Sequence, residues 1–129
     1  MLPKLVSGIA TPQFSWTMDS LIAQAKVSSI LAGWSGDALL AFVFFTDLKT
    51  EGEILVTYVS PESRGQGIMT QLLKSLFLAK TLIKTWFLEV HPQNIAALRT
   101  YEGLGFKTTG IRKNYYSDRS DALILALHR

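Results

Sequence analysis

The chain has no cysteine. That excludes disulfides, thiolate metal centres and a cysteine nucleophile. Histidine is almost as scarce. His91 and His128 are the only two, and they lie far apart. The sequence therefore predicts neither a metal site nor a histidine-based triad. Long apolar runs are missing as well. The run Ala38 to Phe45, ALLAFVFF, is too short to cross a bilayer, so no membrane association is expected. The opening MLPKLVSGIATPQFSW has one early lysine and no long apolar centre, which makes a poor signal peptide. A reducing, cytoplasmic setting fits both absences. No block of lysine and arginine stands out, and direct nucleic-acid binding is not expected.

What is present suits a folded globular chain. The 129 residues are enough for one domain, 1–129, with a core that needs no staples. Hydrophobic residues make up 48% and charged residues 18%, outside the range of disordered chains. The net charge of +3 is compatible with a polyanionic ligand.

The apolar spacing orders the elements. Ser15 to Lys26 reads as a helix, with Ser15 or Thr17 as cap. SSILAGW and ALLAFVFFT flank Ser35-Gly36-Asp37 and read as a β-hairpin. Lys49 to Gly52 reads as a second polar turn, and Glu53 to Ser60 as a third strand. Ile68, Leu72, Leu73, Leu76 and Phe77 make an amphipathic helix. Lys84 to His91 is a strand reached through that helix, which predicts a parallel pair. Asn94 can cap a further helix, and Gly105-Phe106 can end it. Strands near Lys107–Arg112 and Ala122–Leu127 complete an α+β layer fold with a mixed sheet.

The stretch SPESRGQGIMTQLL raises the first functional question. Arg64-Gly65-Gln66-Gly67 stands at the mouth of a helix, where unpaired N–H groups and the dipole favour an anion. A tight turn with no ligand explains the glycines equally well. Neither the Walker phosphate loop nor the dinucleotide fingerprint is present.

Four segments, in this order and spacing, carry a specific resemblance: SPESRGQGIMTQLL, FLEVHPQNIAALRTYEGLGF, IRKNYY and DALILAL. Over roughly residues 14 to 127 the chain resembles the Gcn5-related N-acetyltransferase (GNAT) family. Within that family it is similar to the bacterial ribosomal-protein-alanine N-acetyltransferases. The resemblance implies a mixed, mostly antiparallel sheet flanked by helices, with a parallel pair splayed around a coenzyme A site. It implies acetyl-CoA as cosubstrate, with its pyrophosphate on the backbone of Arg64, Gly65, Gln66, Gly67, Ile68, Met69 and Thr70. It implies pantetheine contacts from the backbone of Thr57, Tyr58 and Val59 and from the Asn94 side chain. Asn94 also suits a helix cap, and the two roles are compatible.

By the same resemblance Glu89 is the general base and Tyr101 the general acid. Read alone, Glu89 fits a solvated carboxylate or a base at a strand end, and Tyr101 fits core packing with Leu98 and Leu104. Arg112, Lys113, Tyr115 and Tyr116 match a segment beside the acceptor. The implied reaction is direct transfer of acetyl to an amine, the N-terminal α-amine of a protein in the ribosomal-protein-alanine type. The alternatives are a small-amine acetyltransferase and a CoA-binding module without catalysis. Two departures stand out. Met69 occupies a position where the family has Gly or Ala, which is expected to narrow the phosphate cradle. The segment before Phe14 has room for about one element, so the family's first strand is expected to be missing.

Overall fold

A computed structural model describes residues 28–129. The helix expected over Ser15–Lys26 and the expected loss of a first strand lie outside the described residues. The elements, in order, are β1 (Ser29–Ser35), β2 (Ala38–Leu48), β3 (Glu51–Val59), a short 3₁₀ turn (Pro61–Ser63), α1 (Ile68–Ala79), β4 (Thr85–Val90), α2 (Ile95–Gly103), β5 (Lys107–Arg112) and β6 (Ala122–His128). The strands form one sheet in the order β1-β2-β3-β4-β6-β5. Every described pair is antiparallel except β3 with β4. This is the mixed α+β sheet expected from the sequence.

Tight turns set the first two hairpins. Ser35 pairs with Ala38, and the loop between them holds Gly36 at φ +57°. Leu48 pairs with Glu51, so the second turn is Lys49-Thr50, with Lys49 at φ +55°. The polar turn was expected to reach Gly52, but Gly52 lies within β3. The reason is steric. A β-carbon at Gly52 would lie 2.5 Å from the Trp86 ring, so the missing side chain makes room for a fully buried indole.

The sheet has two apolar faces. Ala41, Val43, Phe45, Ile54, Trp86, Leu88 and Val90 pack with the two helices. Phe42, Phe44, Val56 and Tyr58 form a second cluster. Strand periodicity alone would put Ile54 and Val56 on one face. They part because the register slips: Phe45 pairs with Ile54, but Phe44 pairs with Val56. Leu55 is thus an extra residue, a β-bulge that resets the alternation and bends the strand.

The same bulge coincides with a fork. The parallel ladder runs from Glu51–Thr85 to Ile54–Leu88 and stops. Past it, β3 continues to Val59 and β4 to Val90 without pairing to each other.

α1 buries Met69, Leu73, Leu76 and Phe77, with Ile68 and Leu72 partly covered against the same core. Its C-terminal end is met by the residue that follows the last strand. The Arg129 guanidinium donates to the carbonyls of Phe77 (2.8 Å), Lys80 (2.6 Å) and Ile83 (2.8 Å). A cation there satisfies orphan acceptors and opposes the negative end of the dipole. α2 ends as its sequence predicts. The Phe106 N–H reaches the Tyr101 carbonyl, the Gly105 N–H reaches Glu102, and Gly105 sits at φ +102°. This is a Schellman stop, clasped by Phe106 packing edge-on against Tyr101.

Candidate active site

The fork between β3 and β4 opens into a cleft of about 1090 Å³. Its walls come from the unpaired half of β3, the glycine turn, the start of α1, the end of β4, α2 and the segment after β5. A volume of this size suits a large ligand.

The glycine turn forms one end. Gly65 and Gly67 adopt φ +78° and +74°, where a side chain is strained, and a β-carbon at either would point into open space. Gly67 is the N-cap of α1 and brings no side-chain cap. The Gln71 N–H makes the first bond back to the Gly67 carbonyl. The amides of Ile68, Met69 and Thr70 therefore have no acceptor within the helix, and no acidic residue stands in the first turn. These features together fit an anionic group lying against the backbone. α2 is the contrast, since Asn94 Oδ1 accepts from the Ala97 N–H at 3.2 Å.

Met69 does not intrude on this end. Its side chain is 8% exposed and packs in the helix-side core. The expected narrowing of the cradle is thus not present, because the side chain leaves on the buried face of α1 and only the backbone faces the turn. Arg64 donates from Nε to the Val59 carbonyl at 3.0 Å, which ties the turn back to β3. Gln66 donates to the Glu62 carbonyl at 3.3 Å. Both side chains brace the loop. Tyr58 points away from the helices and stacks on Phe42, leaving its backbone at the fork.

Thr57 and Tyr101 meet across the cleft floor, with Oγ1 and Oη 2.9 Å apart. Tyr101 is 5% exposed. Burial pushes its hydroxyl above the ordinary value, and the bond with Thr57 partly offsets this. A phenol so held stays protonated at neutral pH.

Glu89 lies on the opposite face of β4 from Trp86, Leu88 and Val90. Its Oε1 accepts from Arg112 Nη1 at 2.6 Å, while Oε2 is buried with no hydrogen-bond partner. Tyr115 comes close to the same carboxylate. Burial first, then Glu89, hold the Tyr115 hydroxyl above its usual range, against an opposing Arg112. Tyr116 is pushed up to about 12 by burial and then by Tyr115, Glu89 and Tyr101.

The segment after β5 is latched to the end of β4. His91 Nδ1 accepts from the Gln93 N–H at 3.0 Å, so the proton sits on Nε2, which donates to Ser120 Oγ at 2.9 Å. Ser120 in turn donates to Asp118, whose carboxyl is held low by these bonds. The chain runs from histidine to serine to aspartate, so His91 cannot act as a base on Ser120. Lys113 pairs with Asp121 at 3.2 Å and supports the same segment. Among the described residues no group of three or more His, Asp or Glu could hold a metal.

The sequence reading overlooked Glu53, which borders the cleft with Glu89. Burial, and then the Glu89 carboxylate, raise its pKa, while Arg112 lowers it. The visible signal was a charged residue at the start of a strand, which alone reads as solvated.

A glycine-turned helix start, a forked parallel pair and a carboxylate and phenol on either side of the fork define the class. The chain belongs to the acetyltransferase (GNAT) family, whose family model matches residues 7–106. It is 37% identical over 94 residues to the [ribosomal protein bS18]-alanine N-acetyltransferase of Escherichia coli, covering 69% of this chain and 64% of that protein. The chain thus spans a little under two thirds of the length of that enzyme. The crystal structure of the E. coli enzyme superposes with a TM-score of 0.83 at 30% identity, covering 98% of this chain and 86% of that one. An N-alpha-acetyltransferase of Saccharolobus solfataricus is 33% identical over 84 residues, covering 61% of this chain and 49% of that protein. A GNAT acetyltransferase from Elizabethkingia anophelis, solved with acetyl-CoA bound, shares the fold with a TM-score of 0.80 at 18% identity, covering 95% and 94% of the two chains.

Proposed function

We propose that this chain, working as one domain over residues 1–129, is an acetyl-CoA-dependent N-acetyltransferase. Its acceptor, met in the cytoplasm, is the α-amine of a protein N-terminus, as the relatives' names favour, and the name of the bacterial relative favours the alanine of a ribosomal protein. The observation that carries the reading is the uncapped N-terminus of α1 opening onto the same cleft as Glu89 and Tyr101.

Acetyl-CoA would supply an acyl group already activated as a thioester. The chain's own residues do the rest. The amides at Gly65–Thr70 hold the pyrophosphate, and positive φ at Gly65 and Gly67 lets the backbone approach it. The free edge of β3 from Thr57 to Val59 offers backbone partners to an extended amide-bearing arm, and Asn94, whose Oδ1 caps α2, offers its side-chain NH2. Glu89 accepts the ammonium proton, directly or through a water, because an α-amine titrates near about 8 and attacks only when neutral. Tyr101 Oη, oriented by Thr57, gives a proton to the departing sulfur.

The test joins calorimetry with kinetics on alanine-initiated peptides. Gly67→Asp places bulk and negative charge on the phosphate seat and is expected to weaken acetyl-CoA binding at least tenfold. Glu89→Gln is expected to leave acetyl-CoA affinity intact and lower turnover, most severely at low pH where little neutral amine exists. Unchanged affinity in the first variant, or a turnover defect constant across pH in the second, overturns the corresponding role. Tight acetyl-CoA binding with no turnover on any amine would make the chain a CoA-binding module.

A further inference from the structure

The ladder between β3 and β4 ends at Ile54–Leu88, so Glu53 belongs to its last steps, paired with Phe87. Gly52 and Ile54, its neighbours, face the helix side, one against Trp86 and the other within the core. Glu53 therefore projects to the opposite face, and so do Phe87 and Glu89. The two carboxylates stand on adjacent strands, on one face, at the point where the strands divide, and both border the cleft. Arg112 takes Oε1 of Glu89 and leaves Oε2 without a partner. Among the described residues no ion pair or hydrogen bond engages the Glu53 carboxylate.

Two carboxylates and one guanidinium leave the fork with a net negative charge. Arg112 by itself would cancel Glu89 and make the entrance neutral to an incoming cation. Glu53 restores the negative charge on the acceptor side. An α-ammonium bears three donors and one charge, and it must arrive before it can be deprotonated. Half-burial of Glu89, beside the more exposed Glu53, strengthens that attraction over its value in water.

We propose that Glu53 is a specificity-determining residue, which beside the Glu89 carboxylate receives the acceptor's amine in its charged form. It thereby selects amino groups over neutral termini. This rests on the reading of the cleft as the acceptor site, but it concerns binding and can be tested without turnover.

The probes are two alanine-initiated pentapeptides of one sequence. One is dimethylated at its N-terminus, which keeps the positive charge and cannot form an amide. The other is N-acetylated and neutral. Calorimetry near neutral pH, with CoA saturating, gives the ratio of their affinities. The wild type is expected to prefer the cationic peptide by at least about tenfold, which is about 1.4 kcal/mol. Glu53→Gln is expected to reduce the ratio about tenfold with CoA affinity unchanged, and Glu53→Asp to restore part of it. Arg112→Gln should raise the ratio, since it removes the opposing cation. A wild type that does not discriminate between the peptides overturns the proposal. So does a Glu53→Gln variant that binds CoA normally and keeps the full preference. Failure of the wild type to acetylate any peptide, with the charge preference intact, counts against the transferase reading and leaves this inference standing.

Discussion

Thr57 Oγ1 lies 2.9 Å from Tyr101 Oη, and that bond joins β3 to α2 across the floor of the cleft. The two residues are far apart in sequence, and the bond fixes the position of the phenol in the cleft. Tyr101→Phe keeps the packing against Phe106 and loses the proton. It is expected to lower kcat by about a hundredfold with little change in acetyl-CoA affinity. Thr57→Val leaves the buried hydroxyl unpartnered and should cost about 1–2 kcal/mol of stability, with a smaller kcat loss. Steady-state kinetics and denaturant unfolding of both variants check this. A Thr57→Val kcat equal to wild type would remove Thr57 from the positioning role.

Alkali should destabilise the fold through the tyrosines around the cleft. Tyr101, Tyr115 and Tyr116 are all raised from 10.0, with burial the first cause in each, and Tyr116 reaches about 12. A raised folded pKa means that the neutral phenol is favoured in the fold. The contribution is fully present below about pH 10 and is lost as pH rises through the folded values. The midpoint of thermal unfolding is expected to fall between pH 10 and 12. Tyr116→Phe should make that fall shallower. An equal alkaline loss in wild type and Tyr116→Phe contradicts the assignment.

Gly52 and Trp86 make a steric pair. A β-carbon at Gly52 would sit 2.5–2.9 Å from three atoms of the indole, which is fully buried. Gly52→Ala is expected to cost about 1–3 kcal/mol, because the ring cannot shift without disturbing Phe45 and Phe77. Adding Trp86→Phe should recover part of that cost, so the pair is non-additive in a double-mutant cycle. Additive losses would show that the two residues do not share the space.

Met69 is a core residue at a ligand-facing turn. Its sequence position suggests that Met69→Gly would simply open the phosphate cradle. Its burial against the helix-side core predicts a different outcome. The substitution deletes a packed side chain at the second position of α1 and should destabilise by about 2–5 kcal/mol. Acetyl-CoA affinity at temperatures where the variant remains folded should change little. Measured stability equal to wild type would place the side chain outside the core.

Much of the architecture was written locally. The spacing of Leu72, Leu73, Leu76 and Phe77, the cap at Asn94 and the stop at Gly105-Phe106 depend on residues within a few positions of one another. They were therefore legible before any fold was known. Gly65 and Gly67 likewise announce a turn that only glycine adopts freely. Other features depend on partners distant in the chain, and no local pattern encodes those. The bulge at Leu55 arises from the register against Phe44 and Phe45, and Gly52 is a strand residue only because Trp86 packs over it. Met69 turns inward because α1 lays that face on the sheet. Arg112 reaches Glu89 from β5, and Glu53 joins them because β3 and β4 run parallel and then divide. Periodicity reports which face a side chain takes. Which charges share a face, and where two strands part, is decided by packing between segments far apart in sequence.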